Sequence, residues 1–190
     1  MDRTIETFPD GKRFLIRLCR SKEAHCDKDC VKAGINSALQ RLSARTRQLR
    51  FAGGVNTLSD AQLDYLANLD NRDRLAWCAL EEGDDLHTGA GIARYMRLPD
   101  EPDVAEFAVT IVDDYQGRGL GEILLRHLID SARENGIRTL RGYVLPGNSA
   151  MLYLGKRFDA NISFEDSVFV VDIATDVKEE KDAKAGTVHG

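Results

Sequence analysis

No apolar run in these 190 residues approaches the roughly 20 that a membrane-spanning helix needs, so no membrane helix is expected. Met1-Asp2-Arg3-Thr4 lacks the charged-then-apolar plan of a secretory signal, and the expectation is a soluble, cytoplasmic protein. A global basic field is also missing. The net charge of −5 argues against a nucleic-acid partner, because nothing gathers phosphates over a long range. Cysteine is sparse. Cys19, Cys26, Cys30 and Cys78 are expected to stay thiols. His25, Cys26 and Cys30 lie close together, but no second C-x-x-C completes a tetrahedral set, so no metal is expected. Gly-Lys-Ser/Thr is absent, which excludes a P-loop. G-x-G-x-x-G is absent too, and too few strand–helix units follow for a doubly wound dinucleotide fold. There is no internal repeat.

What is present suits one folded domain. Hydrophobic residues make up 43% and charged residues 30%. A chain of this length buries roughly 70% of its unfolded surface and needs no staples. Residues 1–13 read as polar and turn-like, around Pro9-Asp10-Gly11. Phe14 to Cys19 reads as a strand, and Ser21 to Asp29 as a charged connection. Val31 to Leu42 carries a helical stripe of Ile35, Leu39 and Leu42. The basic stretch Arg41 to Arg50 reads as a solvated helix end, with a lip for an anionic ligand as the alternative. Gly53-Gly54 breaks the pattern. A helix then opens at Ser59 or Asp60, with Leu63, Leu66 and Leu69 on one face. Leu75 to Glu81 and Gly89 to Leu98 read as a strand pair across the turn Glu82 to Asp85. Thr139 to Leu145 is a further strand. Asn148 caps a short helix to Arg157, and two short strands follow, Ile162 to Phe164 and Val168 to Ile173. The domain is expected to span 1–174, and the charged segment 175–190 to be a disordered tail. The fold class is α/β, with a mixed sheet of the α+β kind.

One stretch concentrates the chemistry: VAEFAVTIVDDYQGRGLGEILLRHLIDSARENGI, from Val104 to Ile137. A strand, a glycine-rich turn and an amphipathic helix follow one another. Turn glycines permit positive φ and close approach of a ligand to the main chain. The unpaired N–H groups of the helix's first turn favour an anion such as a pyrophosphate. A mere tight corner is the alternative reading of the glycines. Upstream, Glu106 interrupts an apolar strand, where a charge is costly to bury without a reason. It reads as a buried catalytic base, or else as a residue on the strand's solvent face.

Gln116-x-x-Gly119-x-Gly121, set between an apolar strand and an amphipathic helix, resembles the acyl-CoA pyrophosphate loop of the GNAT N-acetyltransferases. The resemblance covers most of residues 14–173. Within that superfamily the likeness is greatest to the acetyltransferase domain of bacterial protein-lysine acetyltransferases (Pat). Arg50-Phe51 before Leu58-Ser59, the run from Gly91 through Gly121, and VLPGNSAM carry it.

The resemblance implies a central sheet flanked by helices, splayed between the strand ending near Val112 and the strand at Thr139 to Leu145. It implies acetyl-CoA as cosubstrate, with Val109, Thr110 and Ile111 pairing with the pantetheine arm. Gln116, Gly117, Arg118, Gly119, Leu120, Gly121 and Glu122 would form the pyrophosphate loop, and Asn148 would contact the CoA arm. Glu106 would be the base, acting on a protein lysine or a small amine by direct attack. A strand N–H near Val109 would meet the oxyanion. Many GNAT enzymes carry a tyrosine as general acid in the short helix after the asparagine. Here the position seven after Asn148 is Gly155, and the nearest tyrosine, Tyr153, reads as a packing residue. A catalytically silent acyl-CoA-binding module is the rival reading. A monomer or homodimer is expected.

Overall fold

The computed structural model describes residues 3–19, 27–51, 55–83 and 89–176. The expected connection from Ser21, the Gly53-Gly54 break, the turn at Asp84-Asp85 and the tail beyond Asp176 lie outside the described residues, as do His25 and Cys26. Among the described residues, eight strands form one mixed sheet in the order β1-β2-β3-β4-β5-β6-β8-β7. They are β1 (Arg3–Thr7), β2 (Arg13–Leu18), β3 (Arg74–Glu81), β4 (Gly89–Arg97), β5 (Val104–Ile111), β6 (Thr139–Val144), β7 (Asn161–Glu165) and β8 (Val168–Ala174). Among the described residues, the α-helices that cover it are α1 (Lys28–Arg41), α2 (Ala44–Arg50), α3 (Asp60–Ala67), α4 (Leu120–Glu134) and α5 (Ser149–Arg157). Every neighbouring pair is antiparallel except β5 and β6. Among the described residues, no helix is long and apolar enough to cross a membrane.

Local chemistry sets the helix starts. The side chains of Asp27, Ser43, Ser59 and Asn148 accept the first-turn N–H groups of α1, α2, α3 and α5. Ser59 and Gln62 form a reciprocal capping box. Helix α4 is the most amphipathic. Its buried stripe of Leu120, Leu124, Leu125, Leu128, Ile129 and Ala132 packs across β3, β4 and β5. It stops at Gly136 (φ +74°), where Gly136 and Ile137 return their N–H groups to Arg133 and Ala132. Helices α1 and α3 cover the opposite face of the sheet around a smaller cluster of Cys19, Val31, Ala67, Leu69 and Ala76.

Several expectations need correction. Residues 3–7 are not a turn: Arg3 to Thr7 pair with Arg17 to Arg13 as an edge strand. Alternation had no apolar face there to reveal it, since only Ile5 is a large hydrophobe, and it is exposed. The basic stretch Arg41–Arg50 is not a solvated end of one helix. Ser43 breaks it and starts α2, and Arg41 donates to the Gly89 carbonyl and the Tyr115 hydroxyl. The residue that follows β8 is tied to the fold. Thr175 is buried; its N–H donates to Arg138 O, its hydroxyl donates to Ile137 O, and its carbonyl accepts from Arg133.

Candidate active site

Strands β5 and β6 run parallel for only three rungs: Val104 with Thr139, Ala105 with Leu140, and Glu106 with Arg141. Beyond Glu106 the strands part, although β6 stays paired with β8 as far as Val144. The parting leaves a slot. Main-chain directions show which groups face it. Val104 O accepts from Leu98, and Val112 N–H donates to Ala90, so even-numbered groups of β5 face β4. Asp103 O accepts from Thr139, and Ile111 O from the Gln116 amide, so odd-numbered groups face the other way. By alternation the N–H and C=O of Val109 face the slot together with those of Ile111. Thr110 turns its main chain to β4 and contributes its side chain instead, accepting from Arg50 Nε at 3.1 Å.

The loop at the mouth of the slot has the open main-chain N–H groups that suit an anion. Gly117 (φ +73°) and Gly119 (φ +88°) are left-handed, and an added Cβ at either would meet nothing within 4 Å. Among the described residues, no protein acceptor takes the N–H groups of Gly117, Arg118, Gly119, Leu120 or Gly121. Gly119 caps α4 without a side chain, so the helix's positive end stays open. Gly121 lies over Val109, Ile111 and Leu154, where a Cβ would sit at 3.7–3.8 Å.

The other loop side chains hold the cradle in place. Gln116 Nε2 donates to Ile111 O at 3.0 Å and to Thr46 Oγ1 at 3.3 Å, tying the loop to β5 and α2. Arg118 is paired with Asp10 on the β1–β2 turn, so its charge is already engaged. Glu122 bridges α4 to α5 through Arg157 at 3.1 Å and also meets Arg126. The hydrogen bond from Arg157 holds its carboxyl below the usual carboxylate range. Asn148 Oδ1 accepts the Met151 N–H at 3.2 Å as the cap of α5. The position seven after it, Gly155, is buried, and a Cβ there would lie 2.8 Å from Val171 Cγ1. No tyrosine fits at that point. Tyr153 does not pack; it is 66% exposed.

Glu106 stands on the last rung before the strands part. It is exposed, against the expectation of burial, and it lines a cavity of about 480 Å³ on the α3 side of the sheet. Phe51, Leu58, Leu66 and Met96 supply the apolar wall, and Arg50 and Arg94 the remaining charge. Arg50 ends the basic stretch that the sequence offered as a lip for an anion, whereas Arg94 was not anticipated. The signal was available: Arg94 interrupts the apolar run GAGIARYM just as Glu106 interrupts VAEFAV. Arg94 pairs opposite Ala108, on the sheet face that Glu106 shares. Burial, and then the neighbouring Arg50, pull the Arg94 guanidinium down to about 10. Burial also lowers Arg50, while Glu106 opposes that shift.

The thiols lie elsewhere. Cys19, Cys30 and Cys78 gather with Arg17 under α1, in a cavity that Glu106 does not line. The Cys19 thiol and the Arg17 charge hold the Cys78 thiol below the ordinary range, against the pull of burial. Among the described residues, no three His, Cys, Asp or Glu side chains are grouped to hold a metal.

This arrangement has relatives. The model of the acetyltransferase (GNAT) family matches residues 40–158. The acetyltransferase PA5475 of Pseudomonas aeruginosa is 38% identical over 150 residues, covering 79% of this chain and 76% of the relative. Acetyltransferase Pat of Mycolicibacterium smegmatis is 36% identical over 118 residues, 62% of this chain but 34% of that longer protein. The crystal structure of the GNAT domain of S. lividans PAT superposes with a TM-score of 0.77 at 25% identity, covering 90% of this chain and 96% of that one. A family match over more than half of the chain joins the strand parting and the open glycine cradle in one conclusion: the chain belongs to the GNAT family and is an acyl-CoA-dependent N-acetyltransferase.

Proposed function

We propose that the chain transfers the acetyl group of acetyl-CoA to a primary amine by direct attack, with Glu106 as the base. The observation that carries this reading is the place of Glu106. It stands where β5 and β6 part, with the slot on one side and the cavity on the other. Acetyl-CoA supplies the thioester. Gly117 to Glu122 would hold its pyrophosphate through main-chain N–H groups, Val109 and Ile111 its pantetheine arm as an added strand would, and Asn148 would lie beside that arm. Gln116 positions the loop, and Arg118 acts there only at a distance, since Asp10 engages it.

A primary amine such as lysine's has a pKa near about 10.4 and arrives as an ammonium. Glu106, directly or through one water, takes its proton. The amine nitrogen bonds to the thioester carbon, and the Val109 N–H meets the oxyanion. The carbon–sulfur bond then breaks, sulfur leaving with the electron pair as CoA thiolate, a good leaving group, and the second proton on the amide nitrogen passes to that thiolate or to solvent. No cysteine intermediate is needed, and Cys78 lies two strands from β5. The acceptor is a protein lysine, as the resemblance to Pat suggests, or a small amine.

The test is Glu106→Gln. Turnover, read as CoA release, is expected to fall by about 10²–10⁴-fold, the usual worth of a positioned base. Acetyl-CoA affinity, read by calorimetry, is expected to persist. Undiminished turnover would remove Glu106 from the chemistry.

A further inference from the structure

The cavity beside Glu106 holds more positive charge than proton abstraction needs. Arg94 rises from the middle of β4 and is only 8% exposed. A guanidinium carries five N–H donors. One of Arg94's, on Nη1, goes to Leu66 O at 3.1 Å. Arg50, at the end of α2, gives its Nε–H to Thr110 and stacks on Phe51 at 4.9 Å. Neither has a carboxylate within ion-pairing distance among the described residues. Arg50 adds to the charge on Arg94 rather than neutralising it: the charge that acts most on Arg94 is Arg50. Among the described residues, Glu106 is the one carboxylate on the cavity wall.

Two guanidiniums in a half-dry cavity are costly unless an anion meets them, and arginine does not escape by losing its proton. Glu106 offsets one of the two charges only while it is ionised. When it takes the acceptor's proton, both cations are left without a carboxylate. A bare alkylammonium acceptor would meet net positive charge on entry and leave net positive charge behind. An acceptor with its own carboxylate removes both problems, because the planar fork of arginine fits that group in two-point contact. A cavity of about 480 Å³ is of small-ligand size. The apolar wall of Phe51, Leu58, Leu66 and Met96 suits the methylenes between an amine and an acid.

We propose that the acceptor is a small primary amine bearing a carboxylate, an amino acid in the broad sense, with its carboxylate on Arg50 and Arg94 and its amine at Glu106. This rests on the acetyl-transfer reading above and names the acceptor class for it.

The experiment compares ω-amino acids, from glycine to 6-aminohexanoate, with alkylamines of matching length at saturating acetyl-CoA. Lysine peptides with acidic or basic flanks are run alongside. At least one amino acid is expected to exceed its alkylamine by about tenfold or more in kcat/KM, since a site built to bind a polar group rejects the analogue lacking it. Arg50→Gln, on a half-buried side chain, should collapse that ratio toward one. Arg94→Gln should do the same provided its melting temperature is that of the wild type. An unchanged ratio in Arg50→Gln overturns the proposal, as does a preference for alkylamines or for either lysine peptide. Failure of the chemistry is told apart by calorimetry on the CoA-loaded wild-type protein with each amino acid and its alkylamine. Carboxylate-dependent binding that Arg50→Gln abolishes upholds the proposal without turnover; equal binding of both probes overturns it. Loss of turnover with every acceptor in Glu106→Gln bears on the base alone.

Discussion

Gly142 stands one residue beyond the last rung that β6 shares with β5, and the Phe107 ring fills the space where its side chain would be. An added Cβ would lie 2.8 Å from Phe107 Cε1, and Phe107 is a core ring, 4% exposed. Gly142→Ala is therefore expected to lose about 1–3 kcal/mol, the usual cost of overpacking, read as a lower urea midpoint. Gly155 works in the same way against Val171, which is why a tyrosine is sterically excluded from the place where many relatives of this fold carry one. Single atoms thus decide which side chains the slot is offered. Glu106 shows the same thing in reverse: its neighbours on the strand are packed, and the cavity leaves it exposed.

At the scale of the element, the glycine turn and α4 act as one unit. Gly119 holds φ +88° at the cap of the helix, where an added Cβ would meet no atom within 4 Å. The cost of Gly119→Ala is then conformational alone, about 1–2 kcal/mol for a left-handed residue with a Cβ. The same strain would re-aim the open N–H groups of the turn, so a rise in the acetyl-CoA Kd should accompany the lower urea midpoint. Gly121→Ala is the control for stability. Its φ is ordinary and its Cβ contacts are 3.7–3.8 Å, so its urea midpoint should match the wild type. Equal destabilisation by the two substitutions would show that the turn needs small residues rather than left-handed ones.

At the scale of the whole molecule, α4 is the beam on which the sheet is hung. His127 stacks on Trp77 at 4.5 Å, and the Trp77 indole N–H donates to Ser131 Oγ at 3.0 Å, so α4 is keyed to β3 by a buried pair. Burial pushes the His127 imidazole below its ordinary range, the nearby Asp130 opposing it only in part. The unfolded chain therefore binds a proton there at a higher pH than the folded one does. Stability should be level above the unfolded imidazole value of about 6.5 and fall as the pH drops below it. Urea midpoints between neutral and mildly acidic pH would show the slope, and His127→Gln should flatten it. The carboxylates that the fold holds low, Asp64, Asp70, Glu81, Asp113 and Glu122, act in the same direction but at lower pH, in the carboxylate range.

Local signals were legible in the chain itself. The helix caps at Ser59 and Asn148, the stripe of α4, the glycine turn and the charge inside VAEFAV all rest on interactions between residues a few positions apart. So did the order of strands and helices from residue 14 onward, apart from the short helix α2, because a period of two or of 3.6 is written locally. The edge strand Arg3–Thr7 was not, since an edge with little apolar content carries no period to read. The tertiary structure alone decided where β5 leaves β6, a matter of register between strands 35 residues apart in sequence (Glu106 and Arg141). It also decided that Glu106 is exposed and that Arg50 and Arg94 meet it, which brings together side chains from α2, β4 and β5. A charge inside an apolar strand marks a place where something must compensate it; only the packed sheet and its helices determine what that something is.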